Sequence, residues 1–137
     1  MNFKLILALS MFGLLMGVAT VFVIPPSIEP ACWLVVFVIC AFIIGRTQAP
    51  RPFLHGLGVG VLNGVWVTAA HVALYDAYLA DHPREAQMMA GSSLPGRLMM
   101  LIVGPLIGVV SGCVLGVLAL LGSRIFRPKT APIPPAG

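Results

Sequence analysis

Apolar and polar positions alternate along this chain in blocks: runs without a single Asp, Glu, Lys or Arg cover 5–24, 31–45, 53–75 and 98–123, with short breaks rich in proline or charge between them. At 1.5 Å per residue the first run covers about 30 Å as a helix, which matches the hydrocarbon thickness of a bilayer. The pattern predicts an all-α, antiparallel four-helix transmembrane bundle with spans at 4–24, 30–46, 53–78 and 97–123, followed by a flexible Pro-rich tail over 128–137. Pro25 and Pro26 end the first span, and Pro30 suits the first turn of the second, where its missing N–H is harmless. The second uncharged run is short, about 22 Å, so a full crossing requires Arg46 to snorkel and the helix to continue toward Gln48. The fourth covers about 39 Å, which implies tilt or a bend, and Pro105 supplies a cause. A cleavable signal peptide is the competing reading of the first run, because Lys4 precedes it; its length and the lack of a clear A-x-A site favour a span.

Glycine spacing refines the picture. Gly56, Gly60 and Gly64 recur every four residues in the third span, and Gly104, Gly108, Gly112 and Gly116 do so in the fourth, so each helix carries a stripe without side chains. Such stripes admit close backbone approach, which gains dispersion contacts where lipid removes the hydrophobic drive. If the connection folds symmetrically about Met88, Gly60 meets Gly116, Gly64 meets Gly112 and Thr68 meets Gly108, making a glycine-zipper hairpin of spans three and four. In the first span Ser10, Gly13, Gly17 and Thr20 share one face, which packs inward. The second span is apolar on all sides, with Val35, Val36, Phe37, Val38, Ile39, Phe42, Ile43 and Ile44, and is expected to face lipid or a partner's helix.

Composition excludes the soluble alternative. Of 137 residues 59% are hydrophobic and 9% charged, against roughly 25% charged in an ordinary soluble domain. The net charge of +4 does not point to nucleic acid, because the basic residues stand in ones and twos at the ends of apolar runs. With a cytoplasmic N-terminus, Lys4, Arg46, Arg51, Arg124, Arg127 and Lys129 fall inside and Arg84 and Arg97 outside, so both termini are expected in the cytoplasm of a cell inner membrane protein. Cys32, Cys40 and Cys113 form no ligand or disulfide pattern and read as small buried hydrophobes.

Inside the four apolar runs ionisable chemistry is sparse: no Asp, Glu, Lys or Arg, hence none of the usual carriers of proton or sodium coupling. His71 is the exception, continuing the stripe Gly60, Gly64, Thr68 and Tyr75. Under the Met88 pairing it lies level with Pro105, whose ring frees the carbonyl of Leu101, so a structural bond to that carbonyl is one reading and a protonatable or ligand-binding group is the other. Asn63 is either an interhelical hydrogen bond or part of a pathway. His55 is about 24 Å along the helix from His71, too far to share a metal or haem. In the longest connection Asp81 is placed to cap a short helix begun by Pro83, Met88, Met89 and Leu94 to lie on the membrane surface, and Tyr75, Tyr78 and Trp33 to form an interfacial belt. His82 and Glu85 with Asp76 and Asp81 read as a solvated loop or a weak metal site. No nucleophile with an adjacent base, phosphate loop or carboxylate dyad is present, so no enzyme, catalytic residue, metal or cofactor is expected.

Gly45 and Arg46 closing the second span, the glycine-rich start of the third, a Tyr-containing acidic connection and a basic tail together resemble a group of small four-span bacterial integral membrane proteins of unknown function. The resemblance covers most of the chain in layout and implies no activity and no functional residue. The chain is not similar to small drug exporters, whose intramembrane glutamate it lacks, nor to fluoride channels. The expected role is a non-enzymatic accessory or self-associating subunit, partnered by the bilayer and by copies of itself or a larger membrane protein; the alternative is a small channel or transporter for a neutral or apolar solute that uses His71 and Asn63, with Tyr75 a further polar candidate.

Overall fold

Asn2 opens the first helix, its side chain accepting the Leu5 backbone N–H at 3.1 Å and so satisfying one of the donors a helix start leaves bare. The computed structural model describes residues 1–47 and 49–126; Gln48 and the tail expected over 128–137 lie outside the described residues. The described residues form helices and no strands: α1 Phe3–Phe22, α2 Glu29–Arg46, α3 Pro52–Ala73, α4 Tyr75–Asp81, α5 Pro83–Ala90 and α6 Gly96–Ile125. Four of these, α1, α2, α3 and α6, are long and apolar enough to cross a membrane. Prolines enter α2, α3 and α5 in the first turn, as their lack of an N–H allows, whereas Pro105 lies inside α6.

Several boundaries differ from the sequence-based expectation. The third apolar run does not continue to 78: Leu74, with φ −105° and ψ 31°, breaks it, and Tyr75–Asp81 is a separate short helix. Asp81 ends that helix instead of capping the next, and His82 holds the cap position of α5 without a side-chain cap bond. At its other end α2 stops at Arg46, whose guanidinium lies 5.5 Å and 5.6 Å from the ring centroids of Phe42 and Phe126, a cation–π arrangement that anchors the short span. Arg51, ahead of Pro52, is left-handed at φ 57°, a conformation that costs a non-glycine residue roughly 1–2 kcal/mol. Its carbonyl is held in return by the N–H groups of Leu54 and His55 and by His55 Nδ1 at 3.2 Å.

α3 is the centre of the packing: its broadest contact is with α6 and its next with α1, whereas α2 rests chiefly on α6. The α3–α6 seam is made of glycine against glycine. A Cβ built on Gly56 would lie 2.6 Å from Gly116 Cα, one on Gly64 would lie 2.6 Å from Gly108 Cα, one on Gly60 would collide with Gly112 Cα, and one on Gly104 with the Thr68 hydroxyl. The pairs are therefore one helical turn from the register expected about Met88; the mirror point falls at Ala86. The cause is the connection, which holds two short helices and then an irregular stretch over 91–95 on the α6 side only.

On the opposite face of α3, Gly13 and Gly17 of α1 meet Asn63 and Val67 at backbone distance, and Ser10 and Thr20 are buried with them. α2 is not uniformly lipid-facing. Val36, Cys40, Ala41, Ile44 and Gly45 are buried while Leu34, Val35, Val38, Ile39 and Phe42 are exposed, and the buried set follows a four-residue stripe that an all-apolar helix conceals. Cys113, expected to be buried, is exposed on α6.

Candidate functional site

Where α2 crosses in front of the α3–α6 seam, a cavity of about 610 Å³ remains. Glycines line its floor, Gly60 and Gly64 from α3 and Gly104 and Gly108 from α6, where the two backbones close on each other, while Trp33, Leu34 and Phe37 of α2 form the facing wall. The polar groups that line it come from four helices: Glu29 at the start of α2, Asn63, Thr68 and His71 along α3, Tyr78 on α4 and Ser111 on α6.

Asn63 is 3% exposed, and its Oδ1 accepts the Gly13 backbone N–H from α1 at 3.1 Å. That bond fixes the orientation of the amide, since the reverse one would set donor against donor. Nδ2 is left buried without a hydrogen-bond partner. Deeper between α1 and α3, Trp66 Nε1 donates to Ser10 Oγ at 3.2 Å.

His71 does not bond the Leu101 carbonyl. Although the observed register sets His71 level with Leu101, its Nε2 lies 2.9 Å from Thr20 Oγ1 on α1. Thr20 Oγ1 also reaches the Gly17 carbonyl at 3.3 Å, so its single proton has two acceptors within range and the direction of the Thr20–His71 bond follows the tautomer of the ring. Beyond His71 the rings stack: His71 on Tyr78 at 4.1 Å between centroids, and Tyr78 on His82 at 4.0 Å. In an unbroken helix residues seven apart stand about 10 Å apart along the axis, so the turn at Leu74 is what brings Tyr78 back over His71.

Tyr78 and His82 are thus buried, contrary to the interfacial-belt and solvated-loop expectations. His82 Nδ1 lies 2.8 Å from the Tyr78 carbonyl, its Nε2 has no partner, and no group of three or more His, Cys, Asp or Glu among the described residues is placed to hold a metal. Burial first, and then the carboxylates of Glu85 and Glu29, push the Tyr78 phenol up to about 12 from 10.0. A raised phenol pKa means the folded state keeps its proton longer than the unfolded one, so this group's contribution to stability is complete below pH 10.0 and disappears as pH rises through about 12. In a Tyr75→Phe variant, which leaves Tyr78 the sole tyrosine, the phenolate absorbance midpoint is expected near 12 in the folded protein and near 10.0 after denaturation. Coincident midpoints would refute that burial.

Of the other residues singled out from sequence, Tyr75 lies outside the cavity. Its hydroxyl donates to Met89 Sδ at 3.6 Å, its ring receives Arg97 at 5.1 Å, and it faces Gly96. Arg97 also lies 3.9 Å from Asp76, an exposed ion pair that adds little. His55 closes the far end of the bundle, where Nε2 accepts the Asn2 backbone N–H at 2.9 Å. Glu29, Thr20 and Tyr78 do not stand out in the sequence as site residues, and His82 does so only as a member of a weak metal site. Glu29 is fixed at the cavity mouth by the Trp33 indole, which donates to its Oε1 at 3.2 Å, a four-residue spacing visible in the sequence. The site combines the Asn63 amide, the His71 ring and the Glu29 carboxylate with an apolar body between them. The chain matches no protein family, no curated protein and no solved structure.

Proposed function

We propose that the chain is a non-enzymatic, multi-pass subunit of the cell inner membrane that acts through lateral association, with copies of itself or with a larger membrane-protein partner. In this reading it is an antiparallel four-helix bundle with a glycine-zipper hairpin of α3 and α6 and with both termini cytoplasmic. It uses no cofactor and binds no nucleic acid. The observation that carries the reading is how the faces are divided. The glycine faces of α1 and α6 are both spent on α3, while α2 and α6 keep long apolar outer faces, Val35, Val38 and Phe42 on one and Leu106, Val110 and Val117 on the other. Faces of this kind meet acyl chains or another helix. The test is crosslinking in cells, solubilisation in mild detergent and mass spectrometry of what is recovered, with Gly108→Leu and Gly112→Leu as seam-breaking controls. One stoichiometric membrane partner, or a discrete self-crosslinked species, lost in both controls, is the expected result. Recovery of the uncrosslinked monomer alone would refute it.

The cavity favours a second reading, a small channel or carrier for a neutral or apolar solute with Asn63 and His71 lining its path. His71→Ala separates the two: an association subunit keeps its partner, whereas a carrier loses flux.

A further inference from the structure

We infer that the cavity between α2, α3 and α6 is a binding site for a neutral, elongated molecule with an apolar body and a carbonyl-type acceptor, which the Asn63 amide takes up near the middle of the bilayer. The inference rests on the carrier reading and names the class of its solute. Four observations support it. The cavity's volume of about 610 Å³ falls within the roughly 300–1,000 Å³ typical of small-molecule sites. Its lining runs from Gly60 to His71 on α3 and from Met100 to Ser111 on α6, about 16 Å on each helix, or roughly half of a 30 Å hydrocarbon layer. The molecule that fits is therefore about as long as one leaflet is deep.

Asn63, near the centre of α3 and part of the cavity lining, holds a buried N–H without a partner, its carbonyl side being held by Gly13. A bare donor in hydrocarbon is worth more to a ligand acceptor than the same group in water, because no solvent competes for it. At the mouth, the Glu29 carboxylate disfavours an anion, so a fatty-acid carboxylate is a poor occupant and an uncharged ketone, ester or amide a good one. The seam glycines explain the shape: a Cβ at Gly64 would press on the Gly108 backbone and one at Gly104 on the Thr68 side chain, so the floor closes only because these positions carry none.

The probe is a benzophenone bearing a dodecyl chain, whose carbonyl is at once the acceptor and the photoreactive group. The full chain in phosphatidylcholine nanodiscs is irradiated with it, and the labelled peptides are mapped. Label concentrated on 60–71 and 100–111 is expected, reduced roughly fivefold by Asn63→Leu, the effect of one hydrogen bond, and abolished by Val103→Phe, which fills the cavity from α6 without touching Asn63 or the seam glycines. Dodecyl phenyl ketone is expected to compete about fivefold better than dodecylbenzene. If the two compete equally and Asn63→Leu labels like the native chain, the cavity and the carrier reading survive and the acceptor inference falls. If label is spread over the lipid-facing sides of α1, α2 and α6 and is unmoved by Val103→Phe, there is no site, and both fall.

Discussion

Gly60→Val is expected to abolish the stable bundle, while Gly58→Ala, two positions earlier in the same helix, leaves it standing. A Cβ on Gly60 would land on Gly112 Cα and lie 2.5 Å from Gly112 N. Both are backbone atoms in the middle of a helix, so no rotamer change relieves the collision and α3 and α6 must separate. Overpacking that side chains can absorb costs about 1–3 kcal/mol. Here the largest helix contact of the molecule opens along its length, and a loss of about 3 kcal/mol or more is expected. Gly58 faces α1, where its Cβ would meet only the Ile6 side chain, at 3.3 Å from Cδ1. That side chain can give by a few tenths of an ångström, and alanine gains about 1 kcal/mol in helix propensity over glycine. Unfolding in mixed detergent micelles measures both. Equal melting of the two variants would show that the seam does not hold the fold.

The positions of the spans were legible because hydrophobic length is a local property: the expected 97–123 and the observed Gly96–Ile125 differ by one residue at one end and two at the other. Stripe periodicity was likewise local, and it picked out the residues that meet, Gly56, Gly60 and Gly64 on one side and Gly108, Gly112 and Gly116 on the other. Which glycine faces which was not legible. Register depends on how many residues the connection consumes on each side, and neither the break at Leu74 nor the irregular stretch over 91–95 interrupts or lengthens an apolar run in a way that reveals it. The same distinction holds for the site. Asn63 and His71 stand out as polar residues in apolar helices, so inspection of one helix finds them. Thr20, Glu29 and Tyr78 join them from α1, α2 and α4, and nothing in one helix reports a neighbour that arrives by a turn elsewhere. His82 looked like loop because its neighbours Asp81, Arg84 and Glu85 are charged, yet its ring is sheltered by Tyr78.

α2 is one wall of the cavity, and Gly45→Val is expected to detach it without dissolving the rest. Its closest approach to α6 is at its far end: a Cβ on Gly45 would lie 2.8 Å from Gly122 C and 3.1 Å from Ser123 N, and one on Gly122 would lie 3.0 Å from the Ala41 carbonyl. Contacts of α2 with α1 and α3 are minor, whereas α1, α3 and α6 hold one another through surfaces that Gly45 does not share. A valine at Gly45 therefore lifts the far end of α2 from α6, and an 18-residue helix, about 27 Å long, carries the displacement to Trp33 and Phe37 at the cavity. Cys40 reports the motion, because it is 0% exposed in the native packing. In a Cys32→Ser, Cys113→Ser background in mild detergent, its labelling by a membrane-permeant maleimide is expected to rise about tenfold in Gly45→Val, the equivalent of about 1.4 kcal/mol of lost docking. Benzophenone labelling of 60–71 should fall in the same sample, while the α3–α6 seam still resists unfolding. Unchanged Cys40 reactivity would mean that α2 is held by more than the Gly45–Gly122 contact, and melting of the whole bundle would mean that it is no separable wall. The expected combination would make α2 a separately attached wall of the cavity, since it bounds the cavity with side chains and meets α6 at backbone distance at Gly45.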